Sequence, residues 1–183
     1  MNTTEYPLLA AAAALAVLSA TTPATATPTT ATPAAAPGYR CSTSTQTIDD
    51  AGYSGPAPDN WDIKIQTCAA RSGSTVYAYA DIRWDGPHFY STTDATIFDG
   101  AKVRLQIMAS RKGTDPVVAE RDFQLKDRLE TATSSGDRDG HYRTPTISHR
   151  AGSGAYANAV LYLDWHKDGR GYEGHDYKGS PTV

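Results

Sequence analysis

The chain has 183 residues, 39% of them hydrophobic and 20% charged, which is enough for one domain and hardly enough for two. Seventeen basic residues against 20 acidic ones give a net charge of −3, so no basic excess is available to neutralise phosphates, which argues against a general nucleic-acid binder. Two Cys exclude a Cys-based zinc finger and any disulfide-dense miniprotein, while 15 Gly, 11 Pro and 11 Tyr point to a turn-rich β protein.

At the N-terminus, Leu8 to Leu18 is an uninterrupted apolar run of the length of a signal h-region, and Ala24-Thr25-Ala26 supplies the small residues of a cleavage site. Eleven residues are too few to span a bilayer as a helix, which takes about 20. The n-region departs from the usual pattern, with Glu5 and no Lys or Arg. The expectation is a signal peptide over residues 1–26 and a secreted, extracellular product, cleaved there or later at Ala34-Ala35-Ala36. Cleavage removes only Glu5 among the charges, leaving 17 basic against 19 acidic residues. Thr27 to Gly38 then carries three Pro, no charge and no large side chain, so it cannot bury enough surface to offset its ordering entropy. Residues 27–38 are read as an extended arm, either a spacer or a docking segment, and residues 39–183 as the folded domain. In an oxidising compartment Cys41 and Cys68 have one intramolecular pairing, a disulfide that closes a loop of about 28 residues and stabilises by roughly 3 to 4 kcal/mol in the chain-entropy model.

Trp61 to Cys68 is a short strand candidate. Ser74 to Trp84 alternates more fully, with Val76, Ala78, Ala80, Ile82 and Trp84 on an inward register and Tyr77, Tyr79, Asp81 and Arg83 on the outward one. Asp85-Gly86-Pro87 ends it. Lys102 to Ala109 turns Val103, Leu105 and Ile107 inward, and the turn signal Arg111-Lys112-Gly113 leads as a hairpin into Val117 to Leu125. Lys126 to Ala132 has the composition of a turn or two of helix. Tyr142 to His149 is a strand demoted to an edge by Pro145. Ala155 to Trp165 places Ala155, Ala157, Ala159, Leu161, Leu163 and Trp165 inward, with Tyr156, Asn158, Tyr162 and Asp164 outward. The pattern predicts an all-β fold, a single antiparallel β-sandwich of six to eight short strands with one disulfide. Its architecture is immunoglobulin-like, but Cys41 and Cys68 are too close in sequence, and Trp61 too near the second Cys, for a true immunoglobulin domain.

Three kinds of chemistry can be weighed. His166, Asp168, Glu173 and His175 lie in one segment whose donor types suit zinc, yet a Gly-rich loop gathers polar residues without any ligand. Asp137-Arg138-Asp139-Gly140 has the oxygen-rich start of a calcium loop, but position twelve, counted from Asp137, is Ser148 and not Glu. Calcium and zinc are therefore options at Asp137, Asp139, His166, Asp168, Glu173 and His175, and no cofactor is required. A hydrolase finds little support, since no Gly-x-Ser-x-Gly elbow is present and the mature chain has only Glu120, Glu130 and Glu173.

The outward tyrosines form the third constellation. Tyr and Arg are enriched at protein interfaces, and Tyr77, Tyr79, Tyr156 and Tyr162 would form one patch with Arg83 if their strands were neighbours. The competing explanation is second-layer packing. The reading is a secreted, non-catalytic interaction module for another secreted or cell-surface protein, with carbohydrate binding as the alternative and a small hydrolase behind it. Trp84 and Trp165 fall on the inward register, which withholds the rings that most often stack on sugars. No membrane span is expected.

Overall fold

Period-two alternation of apolar and polar residues shapes most of the chain. The computed structural model describes residues 38–49, 60–87, 96–133, 136–152 and 154–183. The chain divides into two units, Met1–Ala35 and Ala36–Val183, and all described residues lie in the second. The signal-peptide reading and nearly all of the arm fall outside the described residues. In chain order the elements are β1 (Arg40–Ile48), β2 (Trp61–Ser72), β3 (Thr75–Asp85), β4 (Phe98–Ala109), β5 (Val117–Gln124), α1 (Lys126–Glu130), β6 (Gly140–Arg143), β7 (Ile147–Arg150), β8 (Ala155–Trp165) and β9 (Glu173–Asp176). None of the described helices is long and apolar enough to cross a membrane.

Two antiparallel sheets form the sandwich. One has the order β1-β2-β3, with β6 and β7 both paired to the far edge of β3, and the other has the order β5-β4-β8-β9. Val76, Ala78, Ile82, Val103, Leu105 and Leu161 are buried between them, as their register requires. The interior is graded along β8, which runs from Ala155, Ala157 and Ala159 to Leu161, Leu163 and Trp165. At the large-residue end the Phe98 ring lies 4.7 Å from Trp165 and 5.4 Å from Trp61. Two glycines make room for this aromatic layer: a Cβ on Gly140 would overlap the Trp84 indole, and one on Gly86 would meet the ring of Trp61. α1 closes the same end with buried Leu129, and Glu130 Oε1 accepts the backbone N–H groups of Ile97 at 2.8 Å and Phe98 at 2.9 Å.

The predicted disulfide is formed. Cys41 and Cys68 are register partners, so the bond sews β1 directly to β2, with Cα atoms 4.1 Å apart.

Three elements differ from expectation. β1 carries Ser and Thr where a core strand carries branched apolar residues, and its inner face is held by polar contacts instead. Lys178 N donates to Ser44 Oγ at 2.9 Å and Arg40 Nη1 to the Thr182 carbonyl at 3.3 Å. β9 was expected to be loop; it pairs with β8, and Gly174 leaves space for the ring of Tyr162. The predicted edge strand at Tyr142 to His149 is two strands broken around Pro145. At the break, buried Thr144 replaces ladder pairing, its N–H donating to Ala80 O at 2.9 Å and its Oγ1 accepting from Ala80 N at 3.0 Å.

Candidate interaction surface

A sandwich presents two outer faces, and the charges on them follow from strand register. On the β5-β4-β8-β9 sheet, register places Arg104 opposite Asp122 and Gln106 opposite Glu120. Arg104 grips Asp122 with two hydrogen bonds, Nε to Oδ1 at 2.7 Å and Nη2 to Oδ2 at 3.0 Å, and Lys102 Nζ adds a third at 2.8 Å. The Arg104 bonds, reinforced by Lys102, hold the Asp122 carboxyl down at about 2, and Asp122 in turn raises the Arg104 guanidinium above its ordinary value. Gln106 links Glu120 on one side to Asn158 on the other. At these positions opposite groups face one another across the sheet and satisfy one another, whereas Asp164 of β8 has its carboxyl pKa raised by burial and by Asp99 and Asp168.

Two tyrosines of this face, Tyr162 and Tyr156, are packed on glycines. Tyr162 rests against Gly174, with a Cβ there 3.1 Å from its ring, and lies beside the Lys102 and Arg104 cations. Tyr156 lies against Gly179, and burial with the neighbouring Asp115 carboxylate pushes its hydroxyl pKa up. Tyr172 sits over Gly100, under Lys102 Nζ, with 46% of its surface exposed.

The five residues expected to share a patch do not. Tyr77, Tyr79 and Arg83 belong to β3 and Tyr156 and Tyr162 to β8, strands of different sheets whose outer faces point away from each other. Tyr79 is itself buried, with the Tyr39 ring edge-on at 4.8 Å and the Arg143 guanidinium 3.7 Å from its centroid. Tyr77 is half-buried and Arg83 is 66% exposed.

The outer face around Arg83 is built differently. Alternation turns Thr43, Thr45 and Thr47 of β1, Asp62, Lys64 and Gln66 of β2 and Asp81, Arg83 and Asp85 of β3 outward. Register then sets Lys64 directly opposite Arg83 and Asp62 directly opposite Asp85. Both pairs carry like charges, an arrangement that destabilises a sheet. Among the described residues Arg83 Nε is ion-paired with Asp81 at 3.5 Å, and Asp81 is shared with His141 Nε2 at 3.0 Å. Lys64 has no ion pair or hydrogen bond among the described residues. The Asp85 carboxyl pKa is raised, first by burial and then by the charges of Asp139, Asp62 and Asp137. Thr43, Lys64, Gln66, Asp81 and Arg83 line an open depression of about 280 Å³. The outward register of Lys64 and Gln66 is visible in the alternation of Trp61 to Cys68. What the sequence hides is their cross-strand partner.

The metal-ligand sets are not gathered. His166 Nδ1 is engaged by Asp99 at 2.7 Å, Asp168 Oδ1 accepts from Arg170 N at 2.8 Å, and Glu173 and His175 belong to β9. Burial lowers the His175 pKa. Asp137 and Asp139 approach Asp85 instead of one another's ligands. Among the described residues no three His, Cys, Asp or Glu side chains stand where they could hold one ion. Comparison with protein-family models, curated proteins and solved structures finds no match.

Proposed function

We propose that this protein is a secreted interaction module that binds another secreted or cell-surface protein through the outer face of β1, β2 and β3. The observation that carries the reading is the opposition of Lys64 to Arg83, beside the opposition of Asp62 to Asp85. The other sheet of the same molecule places opposite charges in register, Arg104 against Asp122, whereas this one does not at Lys64 and Arg83. Like charges kept opposite each other cost stability and are relieved when a partner supplies the missing counter-charge. The depression is lined by the two cations Lys64 and Arg83, by one carboxylate, Asp81, which also contacts His141, and by Thr43 and Gln66 as neutral hydrogen-bonding groups, and its Lys64 side suits a carboxylate of the partner. Export is supported by the N-terminal apolar run and small-residue cleavage site, and by a formed disulfide.

The test is capture from the producing organism's culture supernatant. The parent is expected to retain a stoichiometric partner, the Lys64→Ala, Arg83→Ala double variant to lose it, and Lys112→Ala, in the exposed β4–β5 turn, to keep it. Equal retention by the double variant rejects this face as the binding surface. One observation favours carbohydrate binding as a second reading, the exposed ring of Tyr172 on the opposite face. Retention on insoluble polysaccharide that disappears with Tyr172→Ala would support it over the protein partner.

A further inference from the structure

The edges of a sandwich decide what can add to its sheets. β6 and β7 are interrupted around Pro145, β9 has four residues, and β5 carries Glu120, Arg121 and Asp122 in succession. β1 has none of these devices. Its nine residues run in unbroken register with β2, contain no Pro and have no charge from Cys41 to Ile48.

The direction of its backbone groups follows from the disulfide partners. A Cα separation of 4.1 Å marks Cys41 and Cys68 as a non-hydrogen-bonded antiparallel pair, for which about 4.5 Å is usual against about 5.5 Å for a hydrogen-bonded one. Strict alternation then aims the N–H and C=O groups of Ser42, Ser44, Gln46 and Ile48 at β2. Those of Cys41, Thr43, Thr45 and Thr47 point away from it, and among the described residues they have no hydrogen-bond partner.

We propose that a second copy of this chain pairs at this edge, β1 against β1, antiparallel about a two-fold axis through Ser44. In that register Thr43 faces Thr45 of the second copy and Cys41 faces its Thr47. Each facing pair exchanges two N–H to C=O bonds, and the symmetric set uses every outward group of both strands. The edge is therefore complementary to itself in hydrogen bonding, the property a two-fold interface requires. It is also complementary in charge: the neutral run from Cys41 to Ile48 meets its copy without repulsion, and Arg40 of one copy comes beside Asp49 of the other. Thr43 and Thr45 form cross-strand Thr pairs on the outer face, a favourable combination. The contacts of Ser44 with Lys178 and of Arg40 with Thr182 hold the edge in place before pairing. The dimer joins two copies of the face bearing Lys64 and Arg83 into one continuous sheet surface. The proposal stands without any external partner, because it concerns the edge alone.

Sedimentation equilibrium of the full secreted chain tests it, with two variants of exposed side chains. Thr43→Lys with Thr45→Lys places four cations across the axis, and Thr43→Glu with Thr45→Glu places four anions there. The parent is expected to show a concentration-dependent doubling of mass, each variant to stay at monomer mass, and an equimolar mixture of the two variants to double again. A parent that remains monomeric at its highest soluble concentration overturns the proposal, as do charge variants that dimerise like the parent. Slow hydrogen exchange at the Thr43, Thr45 and Thr47 amides of a monomeric parent would assign the edge to a segment of the same chain instead.

Discussion

Gly140 occupies the one place where β6 passes under the Trp84 indole, and any Cβ there overlaps the ring. Gly140→Ala is expected to cost about 1–3 kcal/mol in denaturant unfolding, the usual penalty for overpacking a core. Gly152→Ala, whose Cβ enters open space, is expected to change stability by less than about 0.5 kcal/mol. Equal effects at the two positions would show that the aromatic layer yields. Asp122 gives a second prediction at this scale. Its carboxyl is held at about 2, below its unfolded value, so it stabilises the fold above about pH 4 and loses that contribution as the pH falls towards 2. The loss amounts to about 2 kcal/mol, and Asp122→Asn should flatten this part of the acid-unfolding profile. The residues behind both predictions were individually visible in the chain. Arg104 and Asp122 are only 18 positions apart, yet their pairing becomes readable only once the hairpin register is known.

At the scale of elements, the strands with the strongest alternation were legible and the polar ones were not. β3, β4 and β8 bury one complete side against the opposite sheet, so hydrophobic burial imposes period two on their residues. β1 is an edge strand held by a disulfide and by polar contacts to the C-terminal segment, neither of which asks for apolar alternation. β9 is short and lies beneath Tyr162, where glycine is needed more than a β-forming residue. Pro145 correctly signalled an edge, but the rescue of the broken ladder by the Thr144 hydroxyl is a three-dimensional event. Thr144→Val keeps the shape and removes the acceptor for buried Ala80 N, and should cost about 1–3 kcal/mol. Reduction of Cys41–Cys68 should cost about 2–4 kcal/mol, with hydrogen exchange accelerating first in β1. Uniform acceleration across both sheets would contradict the view that the bond acts as a local staple.

At the scale of the molecule, the two outer faces differ in how register pairs Arg104 with Asp122 on one and Lys64 with Arg83 on the other. On the β5-β4-β8-β9 face, Arg104 and Lys102 are paired with Asp122 and Tyr156 and Tyr162 are packed on glycines, while burial and the charges of Asp99 and Asp168 raise the Asp164 carboxyl pKa. Register offers the outward tyrosines either as a recognition surface or as second-layer packing; Tyr156 and Tyr162 pack on this face, and Tyr79 is buried on the other sheet. The β1-β2-β3 face keeps like charges in register. Such an arrangement resembles a site where stability has been given up for binding. The raised Asp85 carboxyl pKa belongs to the same face, and because its folded value lies above its unfolded one, acidification through that range should relieve strain and add to stability.

Lys64→Glu tests this account most directly. It exchanges a like-charge pair with Arg83 for an opposite one. The variant is predicted to unfold at higher denaturant, by roughly 0.2–1 kcal/mol, while losing capture of the partner that the parent retains. A variant that captures the partner as well as the parent does would contradict the assignment of this face, whatever its stability.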